Sequence, residues 1–158
     1  TFKKGDMCTF DLFLTGTIVI NQRVLDSKKK NAIQYENFIV GHECAHWIKD
    51  KDYFESHGEK DAFHICQKND FESTWWRTSM SEIEIIERQT NYLNAAILMP
   101  RDVIKKEFFK IGRYRNIPTQ AIEYKSYMRG WVADLAKKYN LNFNPVLYRL
   151  QDLGVIER

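Results

Sequence analysis

Two histidines four residues apart, with a glutamate beside the first, form the most chemically informative stretch of this 158-residue chain. The stretch is His42-Glu43-Cys44-Ala45-His46, which has the H-E-x-x-H spacing. Residues four apart lie on the same face of an α-helix, so both imidazoles can reach one metal ion. A zinc ion held there activates a water molecule, and the neighbouring carboxylate can accept the proton of that water. The spacing therefore predicts metal-assisted hydrolysis, with a chance match on a buried helix as the alternative.

A catalytic zinc site normally has three protein ligands, so the two histidines need a third. The candidate is Glu87, in a second segment whose apolar residues recur at helical spacing and stop before Pro100. Ser79 or Ser81 is expected to cap this second helix, with a glutamate three residues later as the reciprocal partner. Asn91 is four residues beyond Glu87, so both should project from one face. The alternative for Glu87 is a solvated carboxylate on the surface of the helix.

The two segments together match the pattern of a known protease family. H-E-x-x-H is followed in the chain by E-x-x-x-N-x-x-x-A-A-x-L-M-P, which begins at Glu87. This combination resembles the ImmA/IrrE family of metallo-endopeptidases. The resemblance implies a gluzincin-like site in which one catalytic zinc ion is bound by His42, His46 and Glu87, with Glu43 as the general base. The family often has a second glutamate two residues before the asparagine; this chain has Gln89 there, which favours Glu87 as the ligand.

The same resemblance implies a substrate and a cellular setting. Members of the family typically cleave a helix-turn-helix transcriptional repressor in the cytoplasm, which releases a stress or mobile-element response. We therefore expect a cytoplasmic zinc metallo-endopeptidase that hydrolyses peptide bonds of one protein partner, a repressor. Two alternatives stay open, a non-catalytic regulator on a metalloprotease fold and a toxin–antitoxin component. A peptide deformylase also uses H-E-x-x-H, but Cys8 lacks the Glu-Gly-Cys context of that enzyme's third ligand.

The elements that position these residues predict an α+β, zincin-like metallopeptidase fold with a C-terminal helical extension. Phe10–Phe13 and Thr17–Ile20 are short β-branched or aromatic runs, and we expect strands of a small sheet packed on the active-site helix. In such folds an edge strand can pair with extended substrate. We assign this substrate-binding role to the second run, namely Thr17, Ile18, Val19 and Ile20. Apolar residues surround H-E-x-x-H, so its helix should be buried on all sides, with Cys44 packed as a small hydrophobe.

The C-terminal third of the chain is predicted to be helical. Pro100 can open a helix that ends at Gly112. Thr119 is expected to cap a second helix, Trp131–Tyr139 to form a third, and Asn144 to start a fourth. We therefore divide the chain into a zincin-like metallopeptidase domain, residues 1–112, and a C-terminal helical subdomain, residues 113–158.

The last two predicted helices resemble a helix-turn-helix, which raises the question of DNA binding. Base readout would need polar side chains on the second of them. That helix offers four, Asn144, Tyr148, Arg149 and Gln151. A packing or substrate-holding bundle is therefore preferred over DNA binding.

Composition gives little reason to expect other partners. The net charge of +3 is too small to predict binding to nucleic acid or to an anionic membrane. No apolar run approaches the ~20 residues of a membrane-spanning helix, and Thr1–Gly5 do not form a signal peptide. Cys8, Cys44 and Cys66 are odd in number and lack C-x-x-C spacing, which fits a reducing cytoplasm. The residue that stabilises the oxyanion has four candidates, Tyr92, Arg77, His57 and His64.

Overall fold

Helices make up most of the chain that the computed structural model describes, which comprises residues 6–11, 17–20, 32–56, 63–67 and 81–157. The five helices are α1 Ala32–Ser56, α2 Glu82–Leu98, α3 Arg101–Ile111, α4 Met128–Lys138 and α5 Phe143–Asp152. The chain forms two compact units, Thr1–Asn94 and Ala95–Arg158. The boundary between them precedes the expected division at residue 112, because α3 packs against α4 and so groups with the second unit.

Three short strands accompany the helices of the first unit. They are β1 Asp6–Asp11, β2 Thr17–Ile20 and β3 Phe63–Gln67. Their order is β2–β1–β3, and both pairings are antiparallel. Thr9 of β1 lies opposite Val19 of β2 and Ile65 of β3. The bounds of β2 are those of the run Thr17–Ile20, which was expected to be a strand.

The α+β class expected from the sequence is wrong, because the described architecture is helical. Every described residue that is buried lies on one of the five helices or on the segment that directly follows one. The only two strand residues whose burial is described, Ile18 and Ile20, are partly buried. The described core is formed by apolar faces of helices and not by a sheet packed on α1.

The helix α1 has a polar buried face and an apolar exposed face, so the expectation of a helix buried on all sides is wrong. His42, His46 and Asp50 recur every four residues and are all buried. The opposite side is exposed to solvent and carries Ile33, Val40, Cys44, Trp47 and Ile48. Cys44 is thus a free, exposed cysteine and does not pack as a core residue. Composition alone could not distinguish the two faces, because apolar residues occur on both.

The start of α2 confirms the predicted capping box. The Ser81 backbone N–H donates to Glu84 Oε2 over 2.8 Å, and the Glu84 N–H donates to Ser81 Oγ over 3.3 Å. Each residue therefore satisfies a backbone donor of the other at a helix end that has no intrahelical acceptors. The other expected cap, Ser79, lies outside the described residues.

The second unit has one apolar core shared by α3, α4 and α5. Its buried members are Met99, Ile104, Phe108, Phe109, Met128, Val132, Leu135, Ala136, Leu141, Val146, Leu150, Val155 and Ile156. As expected, α3 follows Pro100 and ends at Gly112. A Cβ atom at Gly112 would lie 2.8 Å from Trp131 Cζ3, so the absence of a side chain there permits close packing.

The helix expected from Thr119 is absent, and α4 begins only at Met128. The intervening chain instead pairs with the C-terminal end. Ile122 N–H donates to Val155 O over 3.1 Å, and Glu157 N–H donates to Ile122 O over 2.9 Å. Because these bonds join residues far apart in sequence, tertiary pairing overrides the local helix signal.

The helix pair α4–α5 leaves one of the four proposed base-reading side chains inside the protein. Arg149 is buried, and its Nε donates to Met99 O over 3.2 Å. Its guanidinium therefore serves the packing of the second unit. Separately, none of the helices in the described part of the chain has the length and apolar character needed to cross a membrane.

Candidate metal centre

Three potential metal ligands converge between α1 and α2. His42 Nε2 lies 3.2 Å from Glu87 Oε2, and His46 Nε2 lies 3.2 Å from Glu87 Oε1. The two Nε2 atoms are 3.0 Å apart. All three side chains are buried, and their ligand atoms lie within 4.8 Å of one another. The structure thus brings together the three residues that the sequence nominated, as a group that could hold a metal ion.

The spacing of these atoms fits a divalent cation. Ligands about 2.0–2.2 Å from a tetrahedral ion stand roughly 3.3 Å from one another. The observed separations of 3.0 to 3.2 Å are close to this value. Two imidazole nitrogens and one carboxylate oxygen suit zinc, and they also suit other divalent metals of the first transition row. The donor set therefore supports a metal site without identifying the metal.

Helical geometry explains why these residues meet. His42 and His46 are one turn apart on α1, so their side chains point the same way. Glu87 comes from α2. A part-buried hydrogen bond joins α2 to α1, since Asn94 Nδ2 donates to Phe38 O over 3.0 Å. The capping box at the start of α2 and this bond lie on either side of Glu87.

Each histidine is oriented through its second ring nitrogen. His42 Nδ1–H donates to Asn91 Oδ1 over 3.0 Å, and His46 Nδ1–H donates to Asp50 Oδ2 over 2.8 Å. Because both Nδ1 atoms carry the hydrogen, both Nε2 atoms present lone pairs to the shared space. Two lone pairs 3.0 Å apart repel unless a cation lies between them. The arrangement therefore favours a bound positive charge, either a proton or a metal ion.

The carboxylate of Asp50 is itself held at both oxygens. Thr90 Oγ1 donates to Asp50 Oδ2 over 3.0 Å and lies 3.2 Å from His46 Nδ1. Lys49 Nζ donates to the other oxygen, Asp50 Oδ1. Burial alone would raise the pKa of Asp50, but the hydrogen bonds from His46 and Lys49 and their charges hold it below its ordinary value. Asp50 is thus kept as an anion beside His46.

The electrostatics of the site favour a cation. Burial lowers the pKa of His46, but hydrogen bonds to Asp50 and Glu87 and the negative charges of Glu87 and Glu43 raise it further, to about 9. In the absence of a metal this imidazole therefore binds a proton at neutral pH. The carboxylates that favour the proton also favour a metal ion, so the two compete for the same nitrogen.

The remaining predicted site residues are placed as follows. Glu43 is fully buried on α1, next to His42. Gln89 is exposed, and its Oε1 accepts a hydrogen bond of 3.4 Å from Lys49 Nζ, so it does not compete with Glu87 for the ligand position. The run Thr17, Ile18, Val19 and Ile20 forms β2, at one end of the strand order. Its binding of substrate stays a prediction.

Two of the four oxyanion candidates lie on described elements. Tyr92 is half exposed on α2, and His64 lies on β3. Arg77 and His57 lie outside the described residues.

Two functional candidates were missed in the sequence, Asp50 and Thr90. The signal for Asp50 was available, since it follows His46 by the same four residues that separate His46 from His42. Thr90 follows Glu87 by three residues and so shares its face of α2. Neither contact can be read from one helix alone, because Thr90 reaches Asp50 only once the helices are paired.

Comparison with known proteins gives no match for this chain. The chain matches no protein-family model, no curated protein and no solved structure. Functional inference for this chain therefore rests on the geometry and chemistry of the cluster His42, His46 and Glu87, together with the spacing of its motifs.

Proposed function

We propose that the protein is a zinc-dependent endopeptidase. The observation that carries the proposal is the convergence of His42, His46 and Glu87 within 4.8 Å, with both imidazoles oriented through their Nδ1 atoms. Two histidines and one carboxylate are the ligand set of several hydrolytic zinc sites. The resemblance of the motifs to those of the ImmA/IrrE metallo-endopeptidases supports the same activity.

In this proposal His42, His46 and Glu87 would hold one zinc ion, which would supply Lewis-acid activation of a water molecule and of the scissile carbonyl. Glu43 would accept the proton of the attacking water and donate it to the departing amine, so one carboxyl would act first as base and then as acid.

The proposed substrate is a single protein, a helix-turn-helix repressor, cleaved in the cytoplasm. The support is the motif resemblance, together with the extended β2 segment, which could pair with a peptide backbone. We expect weak or absent activity on unrelated unfolded proteins such as casein.

A second candidate function is favoured by one observation, the complete burial of His42, Glu43 and His46. Side chains buried to this extent leave a peptide substrate no access to an ion between them, and an ion without such access has a structural role. Under this alternative the ion stabilises the packing of α1 on α2, and the protein is a non-catalytic regulator that binds its partner.

The two functions are separated by substituting the base. Glu43→Gln should retain zinc and fold but lose on the order of 10²–10⁴ in cleavage rate, because an amide cannot accept the proton. The assay is incubation with helix-turn-helix repressors from the same genome, read by intact mass, with zinc content measured in parallel. Glu82→Gln, which makes the same substitution at an exposed position on α2, is the control and should cleave normally.

Three outcomes are informative. Undiminished proteolysis by Glu43→Gln would contradict the mechanism. Cleavage of many unrelated proteins at similar rates would contradict the narrow substrate range. Zinc bound without cleavage of any partner would favour the non-catalytic regulator.

A further inference from the structure

We propose that Asp50 is a positioning residue for the metal centre, which fixes the orientation and the tautomer of the His46 ring so that Nε2 faces a bound metal ion. The inference rests on the proposed zinc site and deepens it. It assigns a role to a residue that is neither a ligand nor the base.

The geometry of the carboxylate carries the proposal. Asp50 Oδ2 accepts hydrogen bonds from His46 Nδ1–H over 2.8 Å and from Thr90 Oγ1–H over 3.0 Å, and Oδ1 accepts from Lys49 Nζ. Asp50, His46 and Thr90 are all buried. A carboxylate with donors on both oxygens cannot rotate freely, so it holds the imidazole in one orientation.

The same bond selects one tautomer. A carboxylate only accepts hydrogen bonds, so His46 must carry its hydrogen on Nδ1 and leave the Nε2 lone pair for the metal. His42 has the corresponding contact with a neutral amide, Asn91 Oδ1, at 3.0 Å. An anionic partner makes the imidazole more basic than a neutral one does. His46 is therefore the more strongly supported of the two nitrogen ligands.

An asparagine at position 50 gives the proposal a distinctive consequence. Asn has the shape of Asp, but one of its two terminal groups is a donor. Because Oδ2 accepts from two buried donors, whereas Lys49 is partly exposed and has Gln89 Oε1 as a second acceptor, the amide oxygen should face His46 and the NH₂ group should face Lys49. The amide oxygen would then accept from Nδ1–H, as Asn91 Oδ1 does at His42, and Nε2 would keep its lone pair for a metal. An isosteric replacement should thus keep more of the zinc affinity than removal of the carboxylate does.

The experiment is a zinc titration of the metal-stripped full-length protein in competition with a chromogenic chelator at fixed pH. Asp50→Ala should weaken zinc binding by about 10–100-fold. Asp50→Asn should weaken it by less, because it keeps an acceptor for Nδ1–H and loses only the charge. The matched control is Asn94→Ala, which removes another contact between the same two helices without touching His46. It should lower the stability of the fold in urea and weaken zinc binding less than Asp50→Ala does.

Each result bears on the proposal. Zinc affinity in Asp50→Ala equal to that of the wild type would overturn it, because an acceptor for His46 Nδ1–H would then be unnecessary. Equal weakening by Asn94→Ala would also overturn it, since general loosening of the helix pair would explain the loss. If the wild type binds no zinc, the proposed function and this inference both fail. If the wild type binds zinc and both Asp50 variants bind it equally well, only the role of Asp50 is refuted.

Discussion

Raising the pH should destabilise the metal-free protein through one residue, His46. Its pKa in the folded state is about 9, against 6.5 for an ordinary histidine. Burial opposes this shift, and the bonds to Asp50 and Glu87 and the nearby carboxylate charges more than offset it. A group whose pKa is raised by folding binds its proton more tightly in the native state. Its contribution to stability is therefore fully present below pH 6.5 and is lost as the pH rises through about 9.

The size of the effect follows from the shift. The pKa of His46 is higher in the folded than in the unfolded protein by roughly 2.5 units. At about 1.36 kcal/mol per unit, this difference corresponds to about 3 kcal/mol of folding free energy. His46 is fully buried, so solvent does not screen these interactions. Domains of this kind have about 5–15 kcal/mol of stability in total, so the loss would be a large fraction of it.

Urea unfolding of chelator-stripped protein, followed by circular dichroism at several pH values from 6.5 to 9, measures this contribution. His46→Gln cannot bind the proton, so its unfolding free energy should lack the pH-dependent component that the wild type shows. The comparison of slopes cancels the other titrating groups, which both proteins share. Parallel pH dependence in the two proteins would refute the account of His46 as a buried, protonated imidazole.

Two further substitutions test the centre and the second unit. Glu87→Ala should lose the bound zinc measured by elemental analysis, whereas Glu82→Ala should keep it; full zinc in Glu87→Ala would place the third ligand elsewhere. Gly112→Ala should lower the unfolding free energy in urea by about 1–3 kcal/mol, because its Cβ would clash with the Trp131 ring. The control is Gly130→Ala, which meets open space in α4 and should stabilise by up to about 1 kcal/mol. Equal effects of the two glycine substitutions would contradict the clash.

Local sequence signals predicted the elements that depend on local chemistry. Ser81 and Glu84 are three residues apart and cap α2 as expected, and α3 begins after Pro100. The helix expected from Thr119 failed because Ile122 pairs with the chain near Ile156. The α+β class failed because the buried residues of the described chain lie on helices and on the segments that directly follow them.

In the candidate site, too, local spacing predicted some residues and missed those that depend on helix packing. His42 and His46 were predictable because one helical turn separates them. Glu87 was predictable because it begins the E-x-x-x-N-x-x-x-A-A-x-L-M-P segment that follows H-E-x-x-H. The contact from Thr90 to Asp50 was not predictable, since it joins residues 40 positions apart and forms only when α1 and α2 pack. The exposure of Cys44 was missed for a related reason, because hydrophobicity does not show which face of α1 is turned inward.

The buried polar face and the exposed apolar face of α1 bear on which side of this helix packs inward. Rotating this helix by half a turn about its axis would bury Val40, Trp47 and Ile48 and leave the histidines in water. By area alone that packing is attractive, since apolar burial is the main driving force of folding. What disfavours it is that His46 and Asp50 find matched partners on α2 only in the native rotation, in which Ile39 and Ala45 are also fully buried. The residues of the metal centre therefore also help to fix the rotation of α1 about its own axis.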